Sequence, residues 1–244
     1  MPGGEVLLRL RGVRKEYGGL RPLRVDAFEL REGETVGLVG FDRSAAEALV
    51  NLITGATLPD AGLVEIFGKP TSEIADADTW LRSLDRFGLL SERVVMVDEL
   101  SIEQNLALPL SFEVAEMAPE LRARVEALAA EVGLSSGDIR QPLPGASADT
   151  RQRIRLAKAL ALNPGILLAE HPNASVQPHE VGTLASDLAR IAAGRQMAML
   201  VLTADTAFAR AACRQVRTWR PATGEVAASG WWTRWVRRLR PTQP

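Results

Sequence analysis

Thr35-Val36-Gly37-Leu38-Val39-Gly40-Phe41-Asp42-Arg43-Ser44-Ala45-Ala46-Glu47-Ala48-Leu49-Val50-Asn51-Leu52-Ile53-Thr54-Gly55 reads as a strand, a turn and a helix in succession. Residues 35–39 form an apolar run of strand length that ends at Gly40. Residues 45–53 carry the apolar spacing of a helix, and Gly55 stops it. Ser44 stands at the expected N-cap with Glu47 three residues on. That capping-box spacing would satisfy the free N–H groups of the first turn. A buried strand that feeds a helix through a Gly-led turn is a building unit of a layered α/β domain.

The alternation continues outward from this stretch. Residues 5–13 and 23–30 read as early strands, with Gly18-Gly19 as the turn signal between them. Downstream come a strand at 166–169, a helix at 178–193 with Val181, Leu184, Leu188 and Ile191 inward, a strand at 197–202 and a helix at 206–213. The middle third differs, because residues 101–132 read as helix. Pro119 sits at a helix start, Leu121, Val125, Leu128 and Val132 share a face, and Gly133 follows as a cap. A loop rich in Gly, Ser and Pro over 134–144 leads to a helix at 150–162, ended by Asn163-Pro164. The organisation expected is an α/β core over 1–90 and 153–228, an inserted helical subdomain over 91–152, and a basic Trp- and Arg-rich tail over 229–244.

Composition narrows the class. Among 244 residues there are 29 Lys and Arg against 30 Asp and Glu, 46% hydrophobic residues and one Cys. Disordered, collagen-like and disulfide-scaffold classes are excluded, and Cys213 has no second thiol to pair with. A net charge of −1 gives no general attraction to nucleic acid, so no nucleic-acid partner is expected. The opening Met-Pro-Gly-Gly-Glu lacks the basic and apolar regions of a signal peptide, and the apolar runs fall far short of the ~20 residues that span a bilayer. A cytoplasmic location is expected.

Four runs, in this order, resemble the ATP-binding subunit of ABC transporters over about residues 5–225. They are Gly37-Leu38-Val39-Gly40 with Asn51-Leu52-Ile53-Thr54-Gly55, which is similar to the surroundings of a phosphate-binding loop; the run from Ser101 to Leu110; Arg151-Gln152-Arg153-Ile154-Arg155-Leu156-Ala157-Lys158-Ala159-Leu160, similar to the helix after the signature motif; and Ile166-Leu167-Leu168-Ala169-Glu170-His171-Pro172, similar to the Walker B strand. The resemblance implies a P-loop NTPase, RecA-like ABC ATPase fold with an N-terminal antiparallel β-subdomain and an inserted helical subdomain. It also implies ATP and Mg²⁺ as cofactors, a multi-span permease and a second ATPase subunit, identical or related, as partners, and a peripheral place on the inner face of the cell membrane.

The family's chemistry needs loop glycines that turn backbone N–H groups onto phosphate, a Lys for the β/γ-phosphates and a hydroxyl for Mg²⁺. Here Arg43 and Ala45 replace the glycines, Ala46 stands at the Lys and Glu47 at the hydroxyl. The Q-loop Gln falls on Glu92, the Walker B Asp on Glu170, the catalytic Glu on His171 and the switch His on Ala204. Ser147 keeps the signature serine, with Asp149 two residues on. Tyr17 keeps the aromatic that stacks on adenine. The family's ATP-site positions are therefore Tyr17, Gly40, Ser44, Ala45, Ala46, Glu47, Glu92 and Ser147, mostly replaced, and binding of ATP and Mg²⁺ is predicted to be weak or absent.

With both halves of the composite site altered, the expected role is a non-hydrolytic structural or regulatory subunit. The alternatives are a weak ATP-binding, ATP-hydrolysing transporter subunit and a free-standing interaction module. Glu47, Glu92 and Glu170 would converge where the family holds Mg²⁺, as an acidic cation site or as a salt-bridge network with Arg43; otherwise Glu47 only completes the capping box. His171 reads as a structural hydrogen-bonder and Cys213 as a core residue. In the tail, Trp231, Trp232 and Trp235 alternate with Arg234, Arg237, Arg238 and Arg240, a composition suited to a membrane surface, a partner's groove or the chain's own domain.

Overall fold

The computed structural model describes residues 4–74 and 76–228. The Trp- and Arg-rich tail lies outside the described residues. The elements, in chain order, are β1 (Val6–Lys15), β2 (Leu23–Arg31), β3 (Thr35–Val39), α1 (Arg43–Ile53), β4 (Ala61–Ile66), β5 (Lys69–Pro70), α2 (Ala77–Leu84), β6 (Phe87–Leu90), α3 (Ile102–Ala107), α4 (Pro119–Glu131), α5 (Ser136–Ile139), α6 (Ala148–Leu160), β7 (Ile166–Glu170), α7 (Val181–Gly194), β8 (Ala198–Thr203), α8 (Thr206–Ala212), β9 (Gln215–Trp219) and β10 (Val226–Ala228).

Two sheets form. One is antiparallel, in the order β2-β1-β4-β5, and the other has the order β10-β9-β3-β8-β7-β6. In the second sheet β9, β3, β8, β7 and β6 are parallel and only β10 runs against its neighbour. Every residue of β3, β7 and β8 is buried. That is why these strands are continuous apolar runs: a parallel sheet is covered on both faces. Alternate residues serve the two faces, Leu167, Ala169, Met199 and Val201 packing with α3, α4, α6, α7 and α8, and Ile166, Leu168, Leu200 and Leu202 with α1 and the antiparallel sheet.

Register fixes where a site can lie. Val39 pairs with Thr203, Leu202 with Glu170 and Ala169 with Leu90. The next residues, Gly40, Ala204, His171 and Ser91, therefore share one carboxyl edge of the sheet, where open α/β sheets form their clefts.

Several boundaries differ from those read in the sequence. The expected helix over 101–132 breaks into α3 and α4, and the 134–144 loop contains the short α5, which Ser135 caps. The helix expected at 150–162 starts earlier, at Ala148, because Ser147 caps it. The helix expected from 178 starts at Val181. Strands β4, β6, β9 and β10 and helix α2 had no sequence reading. Each is short and most carry exposed or half-buried residues, so their apolar signal is weak.

Candidate functional site

The start of α1 departs from expectation. The N-cap is Asp42, whose Oδ1 accepts the Ala45 N–H at 2.7 Å, while the Ala46 N–H donates to the Asp42 carbonyl at 2.9 Å. The predicted capping box of Ser44 and Glu47 is not formed: Ser44 lies exposed in the first turn, and Glu47 points to another element. The reason lies one residue upstream. Phe41 turns inward and stacks on Trp219, ring centroids 4.1 Å apart, and Trp219 is itself held by its Nε1–H on the Arg24 carbonyl at 2.7 Å. Gly40 bends the chain at φ +108, and a Cβ there would meet the Trp219 carbonyl oxygen at 2.7 Å, so no other residue fits. With Phe41 anchored, Asp42 reaches the helix axis before Ser44 does.

Ala45 and Ala46 are fully buried under this turn. Tyr17 is half-buried against the same core, and burial, with the charge of Asp42 as a smaller cause, raises its phenol pKa. Tyr17 thus stands within electrostatic reach of Asp42 at the start of α1.

The three carboxylates named from the sequence are drawn to the carboxyl edge, and each meets a guanidinium. Glu92 pairs with Arg43 at 2.8 Å. Glu170, 8% exposed at the end of β7, accepts two N–H groups of Arg93, from Nε at 3.1 Å and from Nη2. Ser91 Oγ donates to Glu170 Oε2 at 2.5 Å. Glu47 lies 3.5 Å from Arg93 Nη1, which also donates to Asn51 Oδ1 at 3.4 Å. Among the described residues no group of three acidic, His or Cys side chains is placed to hold a metal ion. An ion-pair network, with Arg93 beside the anticipated Arg43, stands where the acidic cation site was considered. The space left among Arg43, Glu47, Ser91, Glu92, Arg93, Glu170 and His171 is about 50 Å³.

His171 borders this space in a left-handed conformation, φ +42, with its N–H on the Leu202 carbonyl at 2.8 Å. Its ring Nε2 is buried and has no hydrogen-bond partner among the described residues, where a structural bond was expected. Ala204 is exposed and offers no side-chain polar group. Ser147 is far along the chain at the start of α6, where its Oγ accepts the Thr150 N–H at 3.1 Å. Asp149 turns aside to Arg153 at 2.9 Å.

Sequence reasoning missed Asp42, Asn51, Ser91 and Arg93. The one available signal for Arg93 was charge: a cation directly after Glu92, in a region read as gathering three carboxylates.

A family model described as ABC transporter matches residues 23–174. A phosphonates import ATP-binding protein of Anaeromyxobacter dehalogenans is 34% identical over 200 residues, covering 78% of this chain and 39% of the relative. A methionine import ATP-binding protein of Pseudomonas aeruginosa is 27% identical over 202 residues, covering 83% and 59%. The chain thus spans well under two thirds of these two relatives. A lipoprotein-releasing system ATP-binding protein of Chromohalobacter salexigens is 28% identical over 209 residues, covering 84% of this chain and 87% of the relative. The fold matches a bacterial ABC transporter cassette solved as a dimer, with a TM-score of 0.74 at 22% identity over 90% of this chain and 96% of that one. A component of an ABC transporter complex from Clostridium perfringens gives 0.76 at 17% identity, covering 91% and 87%.

Proposed function

The chain belongs to the ABC transporter family, and from that membership we propose that it is an ATP-binding-type subunit that docks on a multi-span permease and pairs with a second cassette, its own copy or a relative. We further propose that its role there is structural or regulatory rather than hydrolytic. One observation carries this reading: Ala46 and Glu47 stand where the family places its Lys and hydroxyl, and the Asp42 carboxylate, which caps α1 through the Ala45 N–H, adds negative charge at the same helix end. Each missing charge-assisted contact withdraws about 1.5–3 kcal/mol of phosphate affinity, and a carboxylate in its place adds repulsion. The residues present do not fit a magnesium-bound triphosphate.

A peripheral place on the cytoplasmic side of the membrane goes with this role, and no helix among the described residues is long and apolar enough to cross a membrane. Relatives of similar identity are named for phosphonates, methionine and lipoproteins, which supports a cargo choice made by other subunits.

The test is a calorimetric titration of the purified chain with ATP and Mg²⁺, with Tyr17→Ala as control. The expected result is no binding at millimolar nucleotide and no phosphate release. A second reading, a weak ATP-binding and ATP-hydrolysing subunit, is favoured by the names of the relatives, all of them ATP-binding proteins. Binding that Tyr17→Ala abolishes would select it over the first.

A further inference from the structure

The carboxyl edge of the sheet gathers carboxylates without a metal-binding geometry, and the chain supplies its own cation. We propose that the guanidinium of Arg93 is the resident cation of this cleft, a built-in latch that clamps the start of the 91–100 segment onto β7 and α1 whether or not nucleotide is present. The proposal rests on the reading that the site does not hold a triphosphate, and goes beyond it by naming what holds the site closed.

Arg93 joins three elements. Its fork takes both oxygens of Glu170 at the end of β7, and Nη1 reaches Asn51 and Glu47 on α1 at 3.4 and 3.5 Å. Two-point recognition of a carboxylate is specific to the planar guanidinium; an ammonium makes only a point contact. Glu170 is nearly buried, and a carboxylate so placed needs a counter-charge. Ser91 completes the arrangement, donating to Glu170 through Oγ while that oxygen accepts the Arg93 N–H at 3.2 Å. The Val94 N–H returns to the Ser91 carbonyl at 3.2 Å, so a tight turn is wound around the pair.

The far end of the segment is tied to different elements. Lys158 Nζ on α6 donates to the Val95 carbonyl at 2.8 Å, and the fully buried Asn105 on α3 both accepts the Val97 N–H at 2.8 Å and donates to its carbonyl at 2.9 Å. One segment therefore spans from the α1–β7 edge to the α3–α6 layer, held at each end by side chains of this chain. Arg93 is the positioning residue of the first end and has no part in the second.

That division supplies the test. Hydrogen exchange of the full-length chain is read at single-amide resolution for the wild type, Arg93→Ala and Arg93→Lys, each with and without millimolar ATP and Mg²⁺. The expected result is that Arg93→Ala speeds exchange at position 93 and at Val94 by roughly tenfold or more, while Val97 and the β8 amides keep their wild-type rates. Arg93→Lys falls between, because it keeps the charge and loses the fork. Should Arg93→Ala fail to fold, Glu170→Gln keeps the shape of the partner and is expected to release the same two amides. Unchanged rates at 93 and 94, or equal acceleration at 93, 94 and 97, would overturn the latch while leaving the functional reading intact. Protection of these amides in the wild type by ATP and Mg²⁺ would overturn the reading of the site itself.

Discussion

The N-termini of α1 and α6 are both capped by a side chain of the residue just before the helix, yet the charges near the two caps find their partners in different places. At α1 the cap is the carboxylate of Asp42, and two charged side chains of the helix reach across to other elements, Arg43 to Glu92 and Glu47 to Arg93. At α6 the cap is the neutral Ser147, and the first-turn Asp149 runs down the helix to Arg153, which goes on to Asp187 on α7 at 3.1 Å. The first turn of α1 is the more exposed, at Asp42, Arg43 and Ser44, and that of α6 is half-buried at Ala148, Asp149 and Thr150. Beside it a groove of about 400 Å³ opens among Ile102, Asp138, Gln141, Pro142, Ser147 and Thr150, against about 50 Å³ at α1. Both helix ends carry the same dipole. What separates them is where the neighbouring charges find partners: directly on other elements at α1, and first along the helix, then on α7, at α6.

The largest effect should come from changing the residues at the start of α1. A variant carrying Arg43→Gly, Ala45→Gly, Ala46→Lys and Glu47→Ser returns the loop glycines, the cation and the hydroxyl to the start of α1. Two restored charge-assisted contacts predict a gain of about 3–6 kcal/mol in triphosphate affinity, on the order of 10²–10⁴-fold in calorimetry with ATP and Mg²⁺. If affinity stays where it was, the Arg93–Glu170 pair, and not the loop sequence, is what closes α1.

Next comes the bridge that takes the charge of Asp149 at the start of α6. The Arg153 side chain is mostly buried and also donates to the Val132 carbonyl. Arg153→Met strands Asp149 and Asp187 without this partner, and since both carboxylates keep some solvent the expected cost is about 2 kcal/mol, read as a lower urea midpoint. An undisturbed midpoint would mean that the α6 charges are solvated and the contrast with α1 is one of shape alone.

The caps themselves give a smaller difference. Asp42→Ala should cost about 1–2 kcal/mol and Ser147→Ala about 0.5–1 kcal/mol, and only the first should shrink as salt is added. Equal salt responses would show that the charge of Asp42 contributes nothing beyond its hydrogen bond.

The scaffold under these two ends was legible in the sequence, while much of what closes them was not. Residues 35–39 were read as a strand with the bounds that β3 has, and the runs beginning at 166 and 197 were read as strands to within a residue of β7 and β8, because strands buried on both faces must be apolar throughout. The cap of α1 was misread for lack of any local signal. Asp42 and Ser44 are both good caps, and the choice between them is made by Phe41 stacking on Trp219, a residue at the other end of the described chain. Arg93 was missed for the same kind of reason. Its partners are 42 and 77 residues away, so its neighbourhood offers only the charge next to Glu92 and no sign of what that charge anchors. Family positions led to Glu47, Glu92 and Glu170, and only the fold showed that the cation beside them was already in the chain.

Cys213 lies away from both helix ends and provides the check that changes made at either end remain local. Burial pushes its thiol up to about 12 from an ordinary value of 9.0. Below pH 9 the thiol is protonated in the folded and the unfolded chain alike, and its contribution to stability is intact. Between pH 9 and about 12 the unfolded chain loses the proton first, so the folded state is progressively destabilised. Relative to Cys213→Ala, the wild type should therefore lose about 1 kcal/mol between pH 8 and pH 10, seen as converging urea midpoints. At pH 8 the same thiol should be alkylated only as fast as the chain opens. Variants at Asp42 or Ser147 that act through their own helix ends should leave that labelling rate within a few-fold of the wild type. A variant that raises it further has loosened the shared core under α8, and its effect on α1 or α6 could no longer be assigned to that end.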